Sequence, residues 1–413
     1  MKRVVVTGIG LISSIGNTKV EVLQSLKKGL PGIFFSNEMK KVGMKSHVWG
    51  KIFLNFRKYT QNKFLKYMNT ETFYSYLAMQ DAIKDSFLKR SEYQRNKKVG
   101  IITGSGFCSS RNDFLDLNLR RKLHIKSICD NLDHVSIYTV FKIMNSTISA
   151  CLSTFFKIYG ISYSISSACA TSANCIGNAY ELIKSGQQDI IFAGGAEALT
   201  LETACYFDKI NVLSKNFNNN PKKSSRVYDL NRDGFVISEG SGIIVLEELN
   251  SALLRNAHIY GEIISYSSNS NGCSLFIPSK KGIERCIKSA IKKIQQPIEC
   301  INVHATSTKI GDIKEINAIK NVFQDRHVPC VSSTKSMTGH SLGASGVHEI
   351  IFLLLMLENN FIAPSINIQT LDPQIKDIKI ITRYKKIKLN IVMSNSFGFG
   401  GVNTAIIFKK FYK

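Results

Sequence analysis

Proline is scarce in this chain, with 7 in 413 residues, and no stretch is rich in Pro, Gly or Ser. Long flexible linkers are therefore excluded, and the length favours two intimately packed halves over one ordinary core. The ten cysteines form no CxxC pair and show no metal-ligand spacing. Disulfides and a zinc motif are thus not expected, no metal site is assigned, and a reducing, cytoplasmic setting fits better. Long hydrophobic runs are also missing. Ile350–Leu357 is too short to span a bilayer and reads as a buried helix segment. The N-terminal apolar run is broken by Thr7, Gly8 and Gly10, and no small-residue cleavage site follows. A buried first strand explains it better than a signal peptide, and no membrane association is expected.

Acidic residues are few. Lys plus Arg number 54 against 30 Asp plus Glu, a net charge of +24. Such a field attracts acidic partners. The positive charge is dispersed, with no run of five Lys/Arg and no helix-turn-helix, zinc-finger or RNP-type signature. Nucleic acid is therefore a poor candidate and an acidic protein a better one. Lys is preferred over Arg along the whole chain, beside much Ile, Asn and Tyr, so compositional drift accounts for part of the charge.

What is present is an α/β pattern. Strand-like runs fall at 2–9, 98–103, 161–166, 189–194, 241–248, 259–266, 300–304, 329–332 and 391–395. Helical periodicity is clearest at 71–87, 170–186, 281–293, 312–323 and 343–358. The register changes near Glu248–Ile259, which divides the chain into halves 1–250 and 251–413. Residues 107–160, with Arg120, Arg121, Lys122 and Lys126, read as an irregular surface cap or dimer-contact insertion.

Four segments carry chemistry. In Ser166-Ser167-Ala168-Cys169-Ala170-Thr171, a strand gives way to a helix and places Cys169 at the helix N-terminus. Unpaired N–H groups and the helix dipole there favour a thiolate nucleophile. A small buried Cys in tight packing would look the same. His304, in His304-Ala305-Thr306-Ser307-Thr308, ends a strand, where α/β folds place their ligand crevice. His340 lies in Lys335-Ser336-Met337-Thr338-Gly339-His340, before a helix opened by small residues. A lone histidine in such a loop is more often structural. Asn395-Ser396-Phe397-Gly398-Phe399-Gly400-Gly401 allows close backbone approach, so N–H groups can converge on an oxyanion. It reads equally as the Gly-rich turn closing the last sheet. No acidic residue follows at dinucleotide-binding spacing.

These segments, with Met1–Asn17, Ser46–Gly50 and Arg232-Asp233-Gly234-Phe235, resemble the condensing enzymes of fatty acid synthesis across nearly the whole chain. The type I β-ketoacyl-carrier-protein synthases, with one Cys and two His, are the nearest group. The resemblance implies a thiolase-like, five-layer αβαβα fold and a homodimer. It implies decarboxylative condensation of acyl- and malonyl-carrier protein to a 3-oxoacyl product, with unsaturated chains among the acyl groups extended. Cys169 would carry the acyl chain, and His304 and His340 would bind the malonyl thioester oxygen. Lys335 would orient and charge-stabilise the histidines, with Glu349 as its supporting partner. Backbone N–H groups of Cys169 and Phe399 would form the oxyanion hole, the Phe399 ring would act as gate, and Thr306 and Thr308 would contact pantetheine. No cofactor is bound tightly, because 4′-phosphopantetheine arrives on the acidic carrier protein. Lys63, Lys66, Lys122 and Lys126 would dock that partner, although solvated lysines are the simpler reading of each. Two departures stand out. Ala305 replaces a usual Gly and could crowd the turn, and Val402 replaces a usual Thr. The alternatives are a synthase of different chain-length preference and a degenerate, non-catalytic subunit; Cys169 argues against the latter.

Overall fold

The computed structural model describes residues 1–54, 59, 63–107 and 136–412. The first half supplies strands β1 (Val4–Ser13), β2 (Val99–Thr103), β3 (Ser162–Ser164), β4 (Ile190–Glu197) and β5 (Gly240–Glu248). The second supplies β6 (Gly261–Ser270), β7 (Cys300–Asn302), β8 (Cys330–Ser332), the short β9 (Lys379–Ile380), β10 (Ile391–Gly398) and β11 (Val402–Lys409). Their spatial order is β9-β8-β7-β10-β11-β6-β1-β5-β4-β2-β3.

The order contains a repeat that the sequence alone does not reveal. With the short β9 set aside, the first strand of each half pairs antiparallel with the fifth, and the fifth antiparallel with the fourth. The fourth pairs parallel with the second, and the second parallel with the third. Among the described residues, the two half-sheets meet where Val4–Val6 pairs with Gly261–Ile263.

Helices complete the layers. On the outer face of the first half-sheet lie α1 (Thr70–Ser86) and α2 (Thr147–Phe156); α3 (Thr171–Lys184) and α6 (Ser345–Asn359) each touch both half-sheets. On the far face of the second lie α4 (Lys280–Ile291) and α5 (Lys309–Phe323). The result is the expected αβαβα sandwich. Patterning explains the placement. In α4 the buried Ile283, Cys286, Ile287 and Ala290 form one stripe, as an outer helix requires. In α6 every residue from Ser345 to Leu357 is buried, as a central helix requires. The side chain of Asn69 caps α1 at the N–H of Thr72. This helix sits so close to β1 that a Cβ on Gly10 would lie 1.9 Å from the Ala78 carbonyl oxygen.

Three sequence expectations need correction. Strand β11 was not anticipated; both its faces are buried, so its run lacks alternation, and it follows directly on a segment read as a closing turn. Among the described residues, Leu342–Asn359 is long and apolar enough by length and composition to cross a bilayer, whereas the sequence reading took only 350–357. In the fold 89% of that window is buried, between the half-sheets. The insertion read at 107–160 is regular in part, because Thr147–Phe156 packs as an outer-layer helix on α1, β2 and β3. Arg120, Arg121, Lys122 and Lys126 lie outside the described residues.

Candidate active site

Cys169 sits in a 3-10 turn, Ala168–Ala170, that leads straight into α3. Ala168 adopts a left-handed φ of 50°, a costly conformation for a non-glycine residue. Surrounding bonds hold it. The Ser167 N–H donates to Thr171 Oγ1 at 2.8 Å, and Asn174 Nδ2 donates to Ser167 Oγ at 2.8 Å. Asn174 Oδ1 in turn accepts from the hydroxyls of Tyr266 and Thr404, tying the turn to β6 and β11 of the other half. Gly398, ending β10, comes so near that a Cβ there would lie 2.9 Å from the Ser167 carbonyl oxygen and 3.2 Å from Cys169 N. The backbone N–H groups of Phe399 and of Cys169 itself both reach the Cys169 sulfur.

The two histidines converge on that sulfur from the second half. His340 Nε2 lies 3.0 Å from Cys169 Sγ, and its Nδ1 lies 2.8 Å from Ser345 Oγ. The Phe235 ring packs edge-on against His340 at 5.4 Å, which gives Arg232-Asp233-Gly234-Phe235 a place in the site wall. His304 stands just beyond the end of β7, its ring 5.3 Å from that of His340 and nearly perpendicular to it. Its loop is held by Glu315 on α5, which accepts from the N–H groups of His304 (3.0 Å) and Ala305 (2.7 Å).

Electrostatics follow from burial and one cation. Lys335 is buried and ion-paired with the equally buried Glu349. Desolvation, reinforced by Lys335, holds both imidazoles well below their ordinary pKa, so both are neutral at pH 7. Burial pushes the Glu349 and Glu315 carboxyls up to about 7, against the pull of Lys335 on each. Burial also pushes the Cys169 thiol up to about 12, overriding Lys335 and the two N–H groups. Burial thus opposes the lowering of the thiol pKa expected from the helix N-terminus.

A cavity of about 610 Å³ opens onto this cluster. Thr306 and Thr308 line it, with their hydroxyls 3.4 Å apart. Phe399, 39% exposed, stands in its wall between Phe207 and Phe276, with ring centres 6.2 and 6.0 Å away. Ala305 does not crowd the turn, because the left-handed residue of this loop is Ser307 (φ 75°). Val402 opens β11 opposite Ser270 and Gly398, while its neighbour Gly401 lines the cavity. Lys63 and Lys66 are exposed on the surface. The Lys66 ammonium lies 5.1 Å from the ring centres of both Tyr67 and Tyr138. Lys122 and Lys126 lie outside the described residues.

Sequence reasoning missed Glu315, Ser345, Asn174 and Glu197. The carboxylate of Glu197 accepts from the N–H groups of Gly106, Phe107 and Gly343, pinning the loop after β2 to the turn after His340. None of the four belongs to a local motif. Glu315 and Glu197 act on partners brought to them by the fold, whereas Ser345 and Asn174 stand five and seven residues from His340 and Ser167.

A cysteine facing two neutral imidazoles and a buried lysine, inside a duplicated α/β core, defines a carbon–carbon condensing enzyme of the thiolase type. Comparisons with known proteins agree. Residues 1–252 match the family described as Beta-ketoacyl synthase, N-terminal domain, and residues 260–369 match its C-terminal domain. The chain is 55% identical over 412 residues to 3-oxoacyl-[acyl-carrier-protein] synthase 1 of Buchnera aphidicola subsp. Baizongia pistaciae, covering 100% of both. It is 50% identical to the protein of that name from Escherichia coli K12, covering 99% of each. A β-ketoacyl synthase from Burkholderia phymatum superposes with a TM-score of 0.90 at 29% identity, covering 100% of both chains. A type II polyketide ketosynthase solved with its acyl-carrier protein gives 0.89 at 27% identity, also covering 100% of both. The chain belongs to the β-ketoacyl synthase family and is a condensing enzyme of the acyltransferase class.

Proposed function

We propose that the chain elongates fatty acyl groups by condensing acyl-carrier protein with malonyl-carrier protein, giving 3-oxoacyl-carrier protein, carbon dioxide and free carrier protein. The observation that carries this reading is the meeting of Cys169 Sγ with the His304 and His340 rings at one cavity. The names of the relatives at 50–55% identity support it.

In the first half-reaction the Cys169 sulfur attacks the acyl thioester carbonyl and gives up its proton, while His340 keeps its own proton on Nε2, 3.0 Å from the sulfur. The oxyanion is bound by the N–H groups of Cys169 and Phe399, and the departing carrier thiolate takes the proton. Malonyl-carrier protein then enters. Its carboxylate leaves as carbon dioxide, and the electron pair moves onto the thioester oxygen as an enolate. N–H groups of His304 and His340 stabilise that oxygen, and the Lys335 charge adds to the effect; each such donor is worth about 10²–10³ in kcat. The enolate carbon attacks the acyl-Cys169 carbonyl, whose oxyanion occupies the same N–H pair. Collapse expels the Cys169 thiolate, which takes one proton from solvent.

Thr306 and Thr308 hold the pantetheine arm, and the Phe399 ring separates acyl from malonyl states. No group beyond the carrier's own 4′-phosphopantetheine is needed. Lys63 and Lys66 dock an acidic carrier protein, and the enzyme works as a cytoplasmic homodimer. Exposure of the full chain to acyl-carrier protein, followed by intact-mass and peptide analysis, tests the first step. One acyl group per chain, on Cys169 and absent from Cys169→Ala, is expected; acylation elsewhere or none at all contradicts the assignment.

A further inference from the structure

Ligands far apart in the sequence and without any metal-binding spacing are brought together by the fold. One ligand atom each from Cys169, His304 and His340 lie within 4.8 Å of one another. The Cys169 Sγ to His340 Nε2 distance is 3.0 Å. Tetrahedral zinc bonded to one sulfur and two nitrogens separates those atoms by about 3.3–3.6 Å. Side-chain shifts of about an ångström therefore convert the cluster into a three-ligand site, the number that leaves a fourth position for water. All three residues line the cavity of about 610 Å³, which gives an ion a route in. His340 is already oriented by Ser345 Oγ, 2.8 Å from its other nitrogen, as metal-bound imidazoles are by outer partners. Thiolate with imidazole is a donor set that suits zinc. Lys335 opposes a dication, but it is paired with Glu349, and Glu315 adds a carboxyl to the same cavity wall.

We propose that Cys169, His304 and His340 bind one zinc ion reversibly, and that the zinc form cannot accept an acyl chain. On binding, the Cys169 S–H bond breaks, the proton goes to solvent and the sulfur lone pair bonds the metal. No electron is transferred. Zinc and the acyl group compete for one sulfur, so free zinc acts as an inhibitor that acyl-carrier protein displaces. The claim rests on geometry and does not require the condensation reading.

Alkylation of the metal-stripped, full-length enzyme by iodoacetamide in zinc-buffered solution, followed by peptide mass analysis, tests it. At free zinc ten times the dissociation constant, Cys169 alkylation slows about tenfold. The exposed Cys273 is unaffected, and EDTA restores the original rate. In His304→Ala and His340→Ala the ratio of rates with and without zinc falls toward one. Should these variants fold poorly, cobalt on the unaltered protein gives an independent readout: a sulfur-to-cobalt charge-transfer band absent in Cys169→Ala. Unchanged Cys169 alkylation in zinc, full protection in His304→Ala, or the same cobalt band in Cys169→Ala overturns the proposal. Alkylation needs no acyl substrate, so its outcome is separable from that of a condensation assay.

Discussion

The two imidazoles lie where loss of water and a neighbouring ammonium both act against protonation. Desolvation is the larger effect on each, and Lys335 adds to it. A neutral imidazole keeps an N–H to donate without bringing a second cation into the site. Because both pKa values are depressed, the wild-type rate of malonyl decarboxylation should stay flat as pH falls through 6.5, and drop only well below it. Lys335→Met removes the opposing charge and leaves Glu349 unpaired. Both changes favour imidazolium, so the acid limb should move up by about one pH unit. A pH–rate profile identical to wild type would remove Lys335 from this account. Cys169, His304 and His340 were legible as residues, because each stands at a strand–loop–helix junction. The upward push of burial on the Cys169 thiol was not. The helix terminus is visible in sequence, but the walls that desolvate the sulfur come from both halves.

Elements position what residues perform. Glu315 belongs to α5 yet holds the backbone on which His304 is mounted, with Asn395 of β10 donating to the same carboxylate at 3.3 Å. Glu315→Ala leaves two buried N–H groups unpaired, at a cost of about 2–3 kcal/mol in stability, measurable by denaturant unfolding. On the roles proposed for His304 and Cys169, it should slow malonyl decarboxylation more than acyl transfer to Cys169. Equal slowing of both steps would mean that the carboxylate serves the fold alone. The layering was readable in α4 from its one-faced stripe and in α6 from its nearly continuous apolar run. Strand β11 escaped notice because it lacks a period-2 signal, whereas the Ile148, Cys151, Leu152 and Phe155 stripe of α2 lay within a segment read as an irregular insertion. For β11 this follows from burial on both faces. Glu315 escaped because its eleven-residue distance from His304 has meaning only once α5 folds back onto β7.

Across the whole molecule, the duplication places the nucleophile on one half and both imidazoles on the other, so the site exists only when the halves pack. No identity between the halves betrays this in sequence; it emerges from strand order. The +24 charge is also a whole-molecule property. If it steers an acidic carrier protein, the variant Lys63→Glu with Lys66→Glu should raise KM for the carrier about tenfold, with kcat within about twofold. The difference should shrink in high salt. An unchanged KM would assign those lysines to solvation only. The most direct test of the account is condensation itself: purified enzyme, acyl-carrier protein and carboxyl-labelled malonyl-carrier protein, with labelled carbon dioxide and 3-oxoacyl product quantified together. The account predicts equal amounts of both, product lost in Cys169→Ala, and both slowed about 10²–10³-fold in His304→Ala. Full product formation without the Cys169 sulfur, or undiminished decarboxylation in His304→Ala, would contradict it.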